Sequence, residues 1–151
     1  MKPVFQTIFD ANGGNCLSAA IASILELPID AVPNFARDHG DDWERATAAW
    51  LRSRRLRLLS IGFAAWETFC LTHFDNPGEY CLVSGPSGYP DRGHAVVGRV
   101  TAEGGIEVAH DPIPGGRGPL QGHRWVNFIV PLPDGPLPPS LACVCDCLIG
   151  L

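Results

Sequence analysis

Cys16, His94 and Asp111 are the residues of this 151-residue chain whose types and settings suit covalent acyl chemistry. Cys16 follows the run Asn12-Gly13-Gly14-Asn15 and opens a segment in which Leu17, Ala20, Ile21, Ile24 and Leu25 recur at helical spacing, with Ser18 and Ser23 on the other side. Asn15 is the expected N-cap, and Leu27-Pro28 stops the helix, because the residue before a proline is steered away from αR. A thiol in the first turn of that helix feels the positive end of the dipole, which favours the thiolate. His94 opens a predicted strand after a glycine-rich loop, and Asp111 closes the next one. A hairpin turn at Gly104-Gly105 would set the two side by side. An imidazole in that place accepts the thiol proton, and a carboxylate on its far nitrogen fixes tautomer and orientation. Gln6, ten residues before Cys16, carries an amide that could join the Cys16 backbone N–H in holding an oxyanion.

The elements that must position these groups fall into two halves. Asp30 to Phe35 reads as a short helical turn interrupted at Pro33. Asp41 to Ser53 reads as a second helix, with Asp41, Asp42 and Glu44 near its start, Arg52 near its end, and Trp43, Ala46, Trp50 and Leu51 as its apolar side. Arg55 to Phe63 alternates as a strand, and Ala64 to Leu71 suits a short helix. Four short apolar runs follow between Gly/Pro clusters: Tyr80 to Ser84, His94 to Val100, Gly105 to Ala109 and Arg124 to Val130. Helices first and a small antiparallel sheet afterwards predict an α+β fold. The chain is read as one domain, with 1–75 mainly helical, 76–131 the sheet and 132–151 a proline-rich tail.

Composition narrows the functions. With 46% hydrophobic and 18% charged residues the chain can bury a core and is not disordered. Seventeen glycines and fourteen prolines predict short elements and many turns rather than a helical bundle. Eleven basic against sixteen acidic side chains leave a net charge of −5, the wrong sign for a phosphate-neutralising surface, so no nucleic-acid partner is expected. No run of 18 apolar residues and no signal-type apolar stretch is found, so neither a membrane partner nor export is expected. Six irregularly spaced cysteines then read as reduced thiols of a cytoplasmic protein.

Three stretches carry a resemblance. Gly14-Asn15-Cys16-Leu17-Ser18-Ala19-Ala20-Ile21-Ala22-Ser23, Gly93-His94-Ala95-Val96-Val97-Gly98 and His110-Asp111-Pro112 resemble papain-like cysteine peptidases. More narrowly, they are similar to the peptidase domains of bacteriocin exporters that cleave double-glycine leaders. Lys2 to Thr7, Asn15 to Ser18, and Leu27-Pro28 with Val32-Pro33-Asn34-Phe35 are also similar to small phage and proteobacterial proteins. The resemblance covers about two thirds of the chain. It implies a papain-like domain in a bacterial or phage-infected cytoplasm, its nucleophile helix packed on a C-terminal antiparallel sheet. It also implies Cys16 as nucleophile, His94 as base, Asp111 as orienter and Gln6 as oxyanion donor, acting without cofactor or metal on a peptide or isopeptide bond through a thioester. In the peptidases the glutamine stands closer to the cysteine. The loop Asp10 to Asn15 must therefore bulge, or Asn12 or Asn15 takes the oxyanion role. Two alternatives keep the same residues: an acyl or glutaminyl transferase, and a non-catalytic module that captures a protein in the cleft.

The remaining residues have plainer readings. His110 would point away from Asp111 in a strand and is read as a surface or supporting histidine, while His39, His73 and His123 face solvent. Cys143, Cys145 and Cys147 alternate along one face, but zinc normally needs a second ligand pair, so packing thiols are expected. The basic run Arg52 to Arg57 reads as a solvated helix end, and Trp43, Trp50, Trp66 and Trp125 as core or groove wall. Pro112 to Gly122 is either a flap over the site or a connection.

Overall fold

The computed structural model describes residues 1–10, 13–62, 77–87, 93–116 and 125–133. Helix α1 spans Cys16–Leu25 and ends where Glu26 turns left-handed (φ 56°), its N–H returning to the carbonyls of Ala22 and Ser23. Leu27 N–H closes on Ala22 O at 2.9 Å, which satisfies the last carbonyls before Pro28. The helix is not amphipathic in the expected sense, for Ser18 and Ser23 are as buried as Ala20 and Ile21. Each serine is buried with a partner. Ser18 Oγ donates to Pro33 O at 2.6 Å. Ser23 Oγ donates to Ala19 O at 2.8 Å and accepts Val4 N–H at 2.9 Å. The periodicity of α1 showed only its sheet-facing side; the other side is covered by the N-terminal segment and the 28–34 connection, which local pattern cannot reveal.

The connection contains a short 3₁₀ turn at Ile29–Ala31, which begins one residue before the helical turn expected from Asp30 and ends ahead of Pro33. Helix α2, Phe35–His39, then starts under an Asn34 cap whose Oδ1 accepts Arg37 N–H. Asn34 also donates from Nδ2 to Gly13 O at 2.6 Å, which ties this corner to the loop just before Cys16. A second 3₁₀ turn, Gly40–Asp42, leads into α3, Trp43–Arg52. Trp50 of α3 packs edge-on against Phe35 with ring centroids 5.8 Å apart, and the Arg54 guanidinium lies 3.8 Å over the Trp50 ring. The arginines from Arg52 to Arg57 and His39 are exposed, as their sequence setting implied.

Five strands form one antiparallel sheet: β1 Leu56–Gly62, β2 Tyr80–Pro86, β3 Gly93–Val100, β4 Ile106–His110 and β5 Trp125–Pro131. Their order is β1-β5-β2-β3-β4. The fold is therefore α+β. The strand at 56–62 belongs to the same sheet, paired along its length with the last strand, Leu56 opposite Pro131 and Gly62 opposite Trp125. Trp125, read as core or groove wall, is half exposed at the first residue of β5 and so is not core.

Both faces of the sheet carry buried side chains. On one, Leu82 and Val97 pack against Ala20, Ile21 and Ala22 of α1 and against Val32 and Phe35. On the other, Cys81, Val83, Val96, Val100, Val126 and Phe128 form a second core. Gly98 sits in that second core, where a Cβ would lie 2.6 Å from Val83 and 2.7 Å from Ile106, so only glycine fits. The β3–β4 turn closes with Thr101 N–H on Gly105 O, and Gly104 takes φ 81°. Past that turn the ladder slips: Gly98 is opposite Val108, but Val97 is opposite His110. The bulge puts one extra residue in β4, so His110 falls opposite Val97 rather than Val96, and the side chains after it exchange faces of the sheet. Among the described residues no single helix is long and apolar enough to cross a membrane. The helix expected at 64–71, the three C-terminal cysteines, and His73, His123, Trp66 and Asn12 lie outside the described residues.

Candidate active site

Cys16 is the first residue of α1 and His94 the second of β3, and the sheet face carrying Val97 presses directly on α1. Asp111 follows β4 immediately. His94 Nε2 meets Asp111 Oδ1 at 2.8 Å, with side-chain exposures of 5% and 7%. The same imidazole is hydrogen-bonded to Cys16. With Nε2 committed to the carboxylate, Nδ1 is the nitrogen left for the thiol. The three residues therefore form a continuous chain, thiol to imidazole to carboxylate.

The electrostatics follow from these contacts. Burial alone would raise the Cys16 thiol. The hydrogen bond with His94, the N–H groups of Ala95 and Leu17 on the sulfur, and the attraction of the imidazolium outweigh it and hold the thiol below its ordinary value. For His94, burial pushes the pKa down, but hydrogen bonds to Cys16 and Asp111 and their negative charge carry it above the ordinary imidazole value. Both shifts favour a thiolate–imidazolium pair. Cys81, a free thiol in the second core, shows the contrast: burial and the nearby Glu79 charge push it up to about 12.

The N-terminal segment is threaded past this site. Gln6 N–H donates to Pro112 O at 3.0 Å, and His110 Nε2 donates to Val4 O at 2.8 Å while its ring meets Phe5 edge-on. His110 is thus buried, which excludes the surface reading and keeps the supporting one, because the end of β4 is lined by the 4–6 segment. Asn15 occupies the N-cap position without capping α1. Its Oδ1 accepts the N–H groups of Thr7 and Ile8 at 3.1 and 3.0 Å, and its Nδ2 donates to Thr7 Oγ1 at 3.2 Å. An asparagine beside a helix start has a choice of backbone donors, and here the 7–8 segment takes its oxygen. The N–H groups of the first turn are left without that cap.

The same clamp fixes Gln6. Its side chain is buried, with Nε2 donating to Ile8 O at 3.2 Å, the carbonyl that also receives Asn15 N–H at 3.2 Å. Gly14 N–H bonds Asp10 O and Asn15 N–H bonds Ile8 O, which brings the segment carrying Gln6 beside the start of α1. Gln6 Oε1 is buried with no hydrogen-bond partner among the described residues. One amide N–H of Gln6 is held by Ile8 rather than turned to Cys16, and both ends of the Asn15 side chain are engaged with Thr7 and Ile8.

Three contributors escaped sequence reading. The backbone N–H groups of Ala95 and Leu17 stabilise the sulfur, and backbone donors leave no side-chain signature. Ile113 N–H bonds Asp111 Oδ1 at 2.8 Å; the Asp-Pro-Ile run is a signal for such a turn. Among the described residues no group of three or more His, Cys, Asp or Glu side chains could hold a metal. Two cavities, of about 400 and 300 Å³, lie near Arg99 and Glu107 at the opposite end of β3 from His94. No protein-family model, curated protein or solved structure matches the chain.

Proposed function

We propose that this chain is a papain-like cysteine hydrolase acting on a peptide or isopeptide bond in a cytoplasm. The observation that carries the reading is a buried His94 joined to Asp111 at 2.8 Å on one side and to a helix-start cysteine on the other. In the first step the Cys16 thiolate attacks the substrate carbonyl carbon, and the C=O electron pair moves onto oxygen. The Cys16 N–H and the second N–H of the Gln6 amide are the donors assigned to that oxyanion. Collapse breaks the C–N bond, and the His94 imidazolium gives its proton to the leaving amine. The resulting thioester is then attacked by water. Neutral His94 takes the water proton and returns it to the sulfur as the acid product leaves. Asp111 holds the ring in the orientation both steps need.

The test is acylation by a nitrophenyl ester, followed by intact-protein and peptide mass spectrometry. One equivalent of nitrophenolate should be released in a burst, with the acyl group on Cys16, and the burst should vanish in Cys16→Ser and His94→Ala. Water should then regenerate free thiol; preferential transfer to an added amine would move the assignment to a transferase. Absence of any acyl group on Cys16, in protein whose Cys16 still reacts with iodoacetamide, would overturn the hydrolytic reading in favour of a binding module.

A further inference from the structure

The turn after β4 is wrapped around the Asp111 carboxylate. Oδ1 accepts Ile113 N–H at 2.8 Å as well as His94 Nε2 at 2.8 Å, and the turn closes with Gly116 N–H on Ile113 O at 2.8 Å. Its two glycines are there for different reasons. Gly115 has φ 73°, and nothing lies within 4 Å of where a Cβ would stand, so its need is conformational. Gly116 is not in the left-handed region. A Cβ there would lie 2.5 Å from Asp111 Oδ2, 2.6 Å from Cγ and 2.9 Å from Oδ1. Its need is space, and the atoms needing that space are the carboxylate.

We infer that Gly116 is a positioning residue of the site: its bare Cα is the seat against which Asp111 is set to face His94. This rests on reading Cys16, His94 and Asp111 as a working triad. Asp111 has one short side chain, buried between the His94 ring and its own turn, and cannot swing aside while keeping both bonds. Since Cβ contacts under 3.0 Å essentially do not occur, any side chain at 116 displaces the carboxylate or the turn by about 0.5 Å. The His94 bond is then lengthened or broken. His94 loses the partner that favours its protonated form, and Cys16 in turn loses part of the cation that favours its thiolate.

The experiment is the pH profile of Cys16 alkylation by iodoacetamide, followed by peptide mass spectrometry, with urea unfolding alongside. It compares the unmodified protein, Gly116→Ala, Asp111→Ala, the double variant and Gly115→Asn. Gly116→Ala should move the Cys16 labelling midpoint upward, toward that of Asp111→Ala, with labelling at acidic pH falling roughly tenfold for each unit of rise. In the Asp111→Ala background the added methyl has no carboxylate to meet, so the double variant should match Asp111→Ala. Gly115→Asn should leave the midpoint unchanged, since asparagine tolerates that backbone and has open space. Should Gly116→Ala not fold while the double variant does, the clash with the carboxylate is shown directly. The inference is overturned by an unmoved midpoint in Gly116→Ala, by an equal shift with Asp111 absent, or by the same shift in Gly115→Asn. An ordinary thiol at Cys16 in the unmodified protein would instead refute the triad, and this inference with it.

Discussion

Replacing Asp111 by alanine removes the acceptor of two hydrogen bonds, from His94 Nε2 and from Ile113 N–H, each 2.8 Å long. At 5% and 7% side-chain exposure, water cannot take the place of the carboxylate without opening the site. Breaking a buried pair by deleting one partner costs about 3–5 kcal/mol, because the other is left uncompensated. Against a total stability of roughly 5–15 kcal/mol, that is a large fraction. Asp111→Asn keeps the shape and an acceptor but exchanges a charged hydrogen bond for a neutral one, so its loss should be smaller, about 1–2 kcal/mol. The penalty must also depend on pH. The folded-state pKa of His94 is raised, partly by Asp111, so its titration stabilises the fold fully below the unfolded value and this contribution disappears as pH rises through the folded value. Removing Asp111 takes away its share of that contribution, and Asp111→Ala should cost more near about pH 5.5 than near about pH 9. Urea unfolding at the two pH values measures both quantities. A loss below about 1 kcal/mol, or one equal at both pH values, would refute a buried charge-assisted pair.

Other consequences are open to direct measurement. Cys16 should label with iodoacetamide at lower pH than an ordinary thiol, and His94→Ala should shift that labelling upward; Cys81, pushed up to about 12, should stay unlabelled near neutrality. Equal rates at the two cysteines would contradict the ion pair. Asn15→Ala strips the acceptor from Thr7 and Ile8 N–H, and should cost about 1–3 kcal/mol while those amides lose protection from hydrogen exchange. Unchanged protection would show that the clamp does not hold the Gln6 segment. Gly98→Ala drives a methyl into Val83 and Ile106 and should destabilise by about 1–3 kcal/mol in urea, with unaltered stability counting against the tight second core.

The α+β class, the helix opening at Cys16 and the runs that became β2 to β5 were legible in the sequence because each is a local property. A helix stop at Leu27-Pro28, alternation along a strand and a glycine turn at 104–105 are decided by neighbours a few residues away. Where sequence reasoning failed, the deciding partner was far along the chain. Ser18 and Ser23 look like a polar helix side, yet Pro33 and Val4 bury them. Asn15 looks like a cap, yet its oxygen is taken by Thr7 and Ile8, and the choice between a surface and a supporting His110 is made by Val4 and Phe5, which cover it. The residue types needed for acyl chemistry, Cys16, His94, Asp111 and Gln6, stand in the sequence. Their assembly does not. It requires the Val97/Gly98 bulge that resets which face the side chains at the end of β4 take, the contact of α1 with the sheet, and the backbone donors at Ala95, Leu17 and Ile113. Backbone N–H groups are the same in every residue but proline, so where they converge is decided by tertiary packing alone.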